Sequence, residues 1–250
     1  MKKIGIIGGL AWPSTSDYYR MICKKSNDFY QAAGATAPAP TPPMVIESLN
    51  ISETRSARGI DGDEASWLKY DSIFKQAFLR LKASGADFAL IASNTPHTRL
   101  HSIQQGLDMR IVSILETTAA TVKSMGGKNA LILGTPVTMK SHVYPQAMDN
   151  FGIAAIDSAT DADINALGHL IDVDLYQGKV EGAADLIVEI SHKHITDSDI
   201  DIVCLACTEL PLAFPQFKDD VSFECSGLRF VNTIAAHVDA VLDLALSDQA

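Results

Sequence analysis

The sequence predicts an α/β fold of two pseudo-symmetric lobes, each a parallel β-sheet flanked by helices, with the active site in the cleft between them. Three observations lead there. Strand-length apolar runs alternate with helically spaced ones along the chain, one stretch of each half repeats the other, and 250 residues with 47% hydrophobic content suffice for one large core or two smaller ones.

Residues 3–7 form a short β-branched run that ends in Gly8-Gly9, and residues 14–30 have helical character, with Ser14 and Asp17 placed as a capping pair. The proline-rich stretch 35–43 favours an extended surface loop. Residues 44–49 read as a second strand. Trp67, Tyr70, Phe74, Ala77, Phe78 and Leu81 recur at three- and four-residue spacings and give a helix with one apolar face, stopping near Gly85. Residues 87–92 are a third strand, after which Thr95 is placed to cap a helix whose first residue is Pro96. Residues 111–114 are a fourth strand before a helix that ends at Gly126-Gly127. The second half repeats the same plan. Strands are expected at 130–133, 152–156, 202–206 and 221–224, with helices from about Met139, across 163–194, and at the end of the chain to about 246. Such alternation argues for parallel sheets covered on both faces.

The repeat appears when Asp87-Phe-Ala-Leu-Ile-Ala92-Ser93-Asn94-Thr95 is laid against Asp201-Ile-Val-Cys-Leu-Ala206-Cys207-Thr208-Glu209. The opening strands of the halves, at 3–8 and 128–134, are also alike. Ligands of open parallel sheets lie beyond the carboxyl ends of the strands, so Ser93 and Cys207 are each expected at the mouth of a sheet, and facing lobes would put them on opposite sides of one cleft.

Thirty acidic residues against twenty Lys and Arg give a net charge of -10, which argues against a nucleic-acid partner and against an acidic membrane surface. The N-terminal apolar run is short and broken by glycines, unlike a signal peptide or a membrane span. Four cysteines in a chain of this length do not make a disulfide framework, so reduced thiols in a cytoplasm are expected. Residues 4–9 read G-x-x-G-G rather than G-x-G-x-x-G, which speaks against a dinucleotide site. Cys204 and Cys207 form a C-x-x-C, but no further pair of ligands accompanies them, and residues three apart on a strand point to opposite faces. His101, His142, His169, His192, His194 and His237 show no metal-ligand spacing. No metal or other cofactor is called for.

Cys207 stands apart because it comes directly after a strand, where a helix can begin. The field of a helix terminus, at most about 2 kcal/mol, would draw an ordinary thiol of about 8.5 toward neutrality. An anionic Glu209 would push the other way, and could serve a substrate amino group or shuttle a proton. His97 would lie in a first helical turn, either structural or in contact with substrate.

Together these motifs resemble the aspartate/glutamate racemase family, which uses no pyridoxal phosphate. Gly8-Gly9-Leu10-Ala11-Trp12-Pro13-Ser14-Thr15 with Tyr18-Tyr19-Arg20 resembles its opening Gly-Gly-Met motif, Ser93-Asn94-Thr95-Pro96-His97 its Cys-Asn-Thr-x-His motif, and Cys207-Thr208-Glu209-Leu210 its Cys-Thr-Glu motif. The resemblance implies a first lobe of residues 1–113 plus 226–250, with the last helix packing back on it, and a second lobe of residues 114–225. It implies an isomerase in which two thiols flank the α-carbon, one removing the proton and the other returning it to the opposite face.

This chain departs at the first position, where Ser93 is a much weaker acid than a thiol; one subset of the family carries a hydroxyl there. The implied enzyme is asymmetric, with Cys207 deprotonating an L-amino acid, aspartate or glutamate by resemblance, and Ser93 or a water it holds serving the other face. Asn94, Thr95 and Thr208 are expected to hold the α-carboxylate. Arg55, in the loop after the second strand, and Lys140, after Thr135 and Thr138, stand where the family places contacts to the second carboxylate. A homodimer in the cytoplasm is the family default. Two other readings keep some of these residues: a single-cysteine decarboxylase of the arylmalonate type, and an amino-acid-binding protein without turnover.

Overall fold

The computed structural model describes residues 1–36, 38–156, 160–195 and 202–247, and the chain divides into two compact units, Met1–Ser113 with Val238–Ala250, and Ile114–His237. The first unit is built on an all-parallel sheet of order β2-β1-β3-β4, from β1 (Ile4–Gly8), β2 (Met44–Ser48), β3 (Phe88–Ile91) and β4 (Arg110–Val112). In register, Ile4 lies beside both Met44 and Phe88, and Phe88 beside Arg110. The inner strands β1 and β3 are buried throughout, as continuous apolar runs in a sheet covered on both faces must be. The edge strand β2 is only half-buried, and its Glu47 forms an ion pair with Arg80.

Helix α1 (Trp12–Ala32) buries Ser14, Tyr18, Met21, Ile22 and Ser26 along one face. It begins earlier than the capping pair suggests, because Pro13 is favourable at a helix start. Ser14 is therefore inside the helix, and Asp17 pairs with Arg20 at 3.1 Å. The described residues of the proline-rich stretch form neither helix nor strand. After β2 comes the short α2 (Ile51–Ser56), then a 3-10 turn at Glu64–Trp67, and α3 (Leu68–Ala83), which buries the expected Tyr70, Phe74, Ala77, Phe78 and Leu81. Trp67 belongs to the 3-10 turn rather than to the helix face. A second 3-10 turn, Thr95–Arg99, leads into α4 (Leu100–Ile103).

The second unit begins with α5 (Ile114–Ser124), whose first residue the sequence pattern places in β4. Next come β5 (Asn129–Gly134), α6 (Pro136–Lys140), α7 (Val143–Asp149), β6 (Ala154–Ile156), α8 (Asp161–His169), α9 (Ala183–Ile195) and β7 (Ile202–Ala206). The helix expected from Met139 is two short ones, parted where Ser141 turns extended. A π-helical turn at Leu170–Asp174 and a 3-10 turn at Leu175–Gln177 extend α8.

The sheet has the order β6-β5-β7-β9-β8, with β8 (Ser222–Cys225) antiparallel to β9 (Leu228–Asn232). The sequence pattern suggests no strand at 228–232 and no antiparallel pair. The turn between them is Ser226-Gly227, both with positive φ (52° and 76°), the backbone that a two-residue hairpin requires. Because β9 pairs with β7, residues 226–237 belong to the second unit, and the chain returns to the first at Val238 rather than at 226. The return runs along α10 (Thr233–Leu246), whose Ala245 carbonyl accepts from Lys2 N–H at 2.9 Å.

The order β2-β1-β3-β4 recurs as β6-β5-β7-β9, so the likeness seen in the sequence extends to topology. Asp201, the first residue of that matched stretch, lies outside the described residues. On β7 the period-2 alternation sorts side chains onto two faces. Val203, Leu205 and Cys207 join one buried cluster with Leu133 and Phe230, while Cys204 and Ala206 join another with Ile132 and Val231. Cys204 and Cys207 thus part to opposite faces, and both thiols are free.

Candidate active site

Cys207 is the first residue beyond β7, the strand held between β5 and β9, and it is buried. Its neighbour β5 ends in Gly134, which lies beside Ala206 in register. A side chain at Gly134 would place its Cβ 2.6 Å from the Ala206 carbonyl oxygen, so the close approach of these strand ends depends on glycine. Thr135 comes next and caps α6: its Oγ1 accepts from Thr138 N–H at 3.3 Å and lies 3.0 Å from Thr138 Oγ1. Two hydroxyls therefore sit at the end of β5, the strand that pairs with β7.

The thiol donates to Glu209 Oε2 at 2.9 Å, and the Thr208 hydroxyl donates to the same oxygen at 3.0 Å. All three residues are buried. Burial pushes the Cys207 thiol well above its ordinary value, and the charge of Glu209 and the hydrogen bond to it push further. The helix-terminus expectation fails for a structural reason: the chain continues only into the four-residue 3-10 turn Leu210–Ala213, too short for a sizeable dipole. The thiol is protonated at rest and hydrogen-bonded to the Glu209 carboxylate.

In the first unit Ser93 lies just beyond β3, whose ladder extends through Ala92 N–H donating to the Ile7 carbonyl at 2.9 Å. Ser93 is half-buried, and Asn94, Thr95 and His97 beyond it are buried. Thr95 does not cap a helix as expected; Asn94 precedes the 3-10 turn, and Thr95 is its first residue. His97 Nδ1 lies 3.0 Å from the Ser93 carbonyl, which can only accept, so Nδ1 carries the proton. Burial lowers His97 to about 4. The imidazole is thus neutral at pH 7 and braces the loop that presents Ser93.

The two expected carboxylate-binding cations are placed differently from each other. Lys140, the last residue of α6, is exposed and ion-paired to Asp161 at 3.1 Å. Arg55 is exposed on α2 rather than in a loop. The structure does not bring Lys140 into the Cys207 group.

Two features escape the sequence. Asp172, exposed on the π-helical turn, bears a charge that also raises the Cys207 thiol. Tyr144 is fully buried, its phenol bonded to the hydroxyls of Thr118 and Thr233, and Thr233 donates to the Leu205 carbonyl at 2.8 Å, tying this network to the strand that carries Cys207. Nothing in the helical spacing of 161–177 marks a π turn. Among the described residues no group of three or more His, Cys, Asp or Glu could hold a metal, and no helix is long and apolar enough to cross a membrane.

In each unit of this α/β protein an inner parallel strand ends in a polar residue, Ser93 in the first and the carboxylate-bonded thiol of Cys207 in the second. The sequence profile of the Asp/Glu/hydantoin racemase family matches residues 7–241, and the chain belongs to that family of isomerases. It is 26% identical over 240 residues to the broad specificity amino-acid racemase RacX of Bacillus subtilis, covering 94% of this chain and 99% of the relative. Glutamate racemase of Listeria monocytogenes is 27% identical over 165 residues, 64% of this chain and 59% of the relative. Among solved structures, an aspartate racemase homologue from Pyrococcus horikoshii superposes with a TM-score of 0.78 at 26% identity, covering 98% of this chain and 99% of that one. For a putative Asp/Glu racemase from Yersinia pestis the TM-score is 0.80 at 24% identity, with coverage of 98% and 100%, a likeness of fold.

Proposed function

We propose that the protein is a cofactor-independent amino-acid racemase in which Cys207 exchanges the α-proton of the L-enantiomer and Ser93 serves the other face less effectively. The observation that carries this reading is the thiol of Cys207 bonded to Glu209 at 2.9 Å, at the end of an inner parallel strand. The thiol alone is a poor base at pH 7. When its proton passes to Glu209, the pair keeps its single negative charge and the sulfur becomes the nucleophilic thiolate. That thiolate takes the α-proton, and the electron pair left on carbon moves into the substrate carboxylate as an enediolate. The N–H groups and hydroxyls of Asn94, Thr95 and Thr208 would stabilise the charge that grows there. Return of a proton from Cys207 restores the L-amino acid; delivery from Ser93, or from a water it holds, gives the D-amino acid, after which solvent returns a proton to that oxygen and takes one from Glu209.

A serine hydroxyl is many orders of magnitude less acidic than a thiol, so the two faces differ in rate. The test is deuterium exchange in heavy water monitored by NMR, with L- and D-aspartate and L- and D-glutamate, the pair implied by resemblance, together with L-alanine and L-lysine. Exchange is expected with an L-enantiomer, faster than net racemisation, and lost in Cys207→Ser. Exchange at the parental rate in Cys207→Ser, or none with any amino acid, overturns the reading.

A further inference from the structure

Ser93 stands between two anchors in the first unit. Before it, the ladder of β3 continues through Ala92, whose N–H donates to the Ile7 carbonyl at 2.9 Å. After it comes the 3-10 turn Thr95–Arg99, five residues whose own hydrogen-bond geometry is poorer than an α-helix's. His97 N–H donates to the Asn94 carbonyl and His97 Nδ1 to the Ser93 carbonyl, both at 3.0 Å, and Thr98 Oγ1 donates to the Thr95 carbonyl at 2.9 Å. These bonds make Ser93 and the turn one piece. Its far end is Arg99, whose guanidinium is bidentate to Asp71, Nε to Oδ1 at 3.1 Å and Nη2 to Oδ2 at 2.7 Å. The two side chains are only 12% and 13% exposed. Asp71 belongs to α3, the helix seated on the sheet by Tyr70, Phe74, Ala77, Phe78 and Leu81. The Trp67 ring lies 5.2 Å from the guanidinium carbon, and Glu64 and Ser102 accept further N–H groups at 2.9 and 3.2 Å. A planar fork held along its edges and on one face has little room to move.

From this arrangement we infer that Arg99 is a positioning residue for Ser93, with Asp71 as its anchor. The pair fixes the end of the Ser93 turn to α3 and so sets where the hydroxyl meets the substrate. The inference rests on the proposed role of Ser93 and deepens it. An ion pair that served only the fold would affect both faces of the reaction alike. Displacement of the turn by about 1 Å can cost up to about 100-fold at the group it carries. Cys207 belongs to the other unit and keeps its own supports.

The experiment compares the parent with Arg99→Gln, Asp71→Asn and the double variant. Arg80→Gln is the control, since it breaks an ion pair of α3 with Glu47 that does not involve the turn. Amide hydrogen exchange read by mass spectrometry should become at least about tenfold faster across 94–99 in Arg99→Gln, with the amides of β3 unchanged. In heavy water, α-proton exchange from the D-enantiomers of aspartate, glutamate and alanine should fall by about tenfold or more in kcat, with KM and the L-side rate within about twofold of the parent. Asp71→Asn should do the same, and the double variant should be no worse than either single one, as for residues acting as a pair. Where the parent's D-side rate is too slow to measure, the same substitutions in the Ser93→Cys background supply it. Amide exchange at the parental rate in Arg99→Gln, an equal fall on both faces, or the same changes in Arg80→Gln overturns the inference. If no amino acid exchanges in any background, the proposed function fails by itself, and amide exchange alone decides whether Arg99 holds the turn. If Arg99→Gln does not fold, Asp71→Asn, which leaves the guanidinium on Glu64 and Trp67, carries both measurements.

Discussion

Glu209 opposes thiolate formation at Cys207, and in the proposed mechanism its carboxylate also receives the thiol's proton. Glu209→Gln separates the two effects. Without the anion the thiol ionises more easily, so mass-spectrometric mapping should show Cys207 alkylated faster at pH 8 than in the parent. Without the proton acceptor, exchange of the α-proton at pH 7 should fall by about 100-fold, with its residual rate climbing toward alkaline pH. Slower alkylation, or unchanged exchange, would show that Glu209 is not the acceptor. Ser93→Cys makes the complementary change: exchange from the D-enantiomer should rise by roughly ten- to a hundredfold while the L-side rate changes little. His97 contributes differently. Its folded value near 4 lies below the unfolded value of about 6.5, so the unfolded chain binds the extra proton first as pH falls. Its contribution is therefore fully present above about pH 6.5, and roughly 3 kcal/mol of stability is lost between there and about pH 4. Urea titrations of the parent and His97→Gln across that interval should converge at acid pH; parallel curves would remove His97 as the source.

The elements most legible in the sequence are those whose burial is uniform. Strands β1, β3, β5 and β7 are continuous apolar runs, and α3 shows its core face at regular spacing. The residues at the ends of these inner strands, Ser93 and Cys207, are legible for the same reason, since a polar residue directly after such a run marks the rim of a parallel sheet. The β8-β9 hairpin escapes because alternation leads one to expect a helix after each strand. Its signal is present in the Ser226-Gly227 turn between apolar segments holding Phe223 and Phe230, whose rings stack at 5.1 Å. The π turn leaves no comparable signal, because Leu170 and Ile171 bury themselves in the core of the second unit at the spacing an ordinary helix would also show. The spacing of Lys140 from Thr135 says nothing about Asp161, the partner 21 residues on with which it pairs. Gly134 is the element-level position most sensitive to change. Gly134→Ala pushes β5 off β7 at the Ala206 carbonyl and should cost about 1–3 kcal/mol in urea unfolding, with loss of exchange activity even where the protein remains folded. Unaltered stability would show that the strand ends can part without cost.

The chain passes between its two units twice, once at 113/114 and once within α10 at 237/238, so the first unit is completed only by residues that follow the whole of the second unit in sequence. Val238, Val241, Leu242 and Ala245 of that segment are buried, and Asp239 and Ala245 bond to Lys25 and Lys2 of the first unit. Burying an aliphatic side chain of this kind contributes about 1.5–3 kcal/mol, and whole domains are stable by only about 5–15 kcal/mol. Three such side chains are therefore comparable to all the stability the first unit has. The second unit holds its sheet, both faces of its core and the β8-β9 hairpin within Ile114–His237. A chain ended after His237 should accordingly lose the first unit while keeping the second. Limited proteolysis should cut within residues 1–113 at least tenfold faster than in the full chain, leaving a resistant fragment that begins near Ile114. If residues 1–113 stay as protected as in the full chain, the returning segment is dispensable, and the first sheet must be sufficient on β1 to β4 and their own helices.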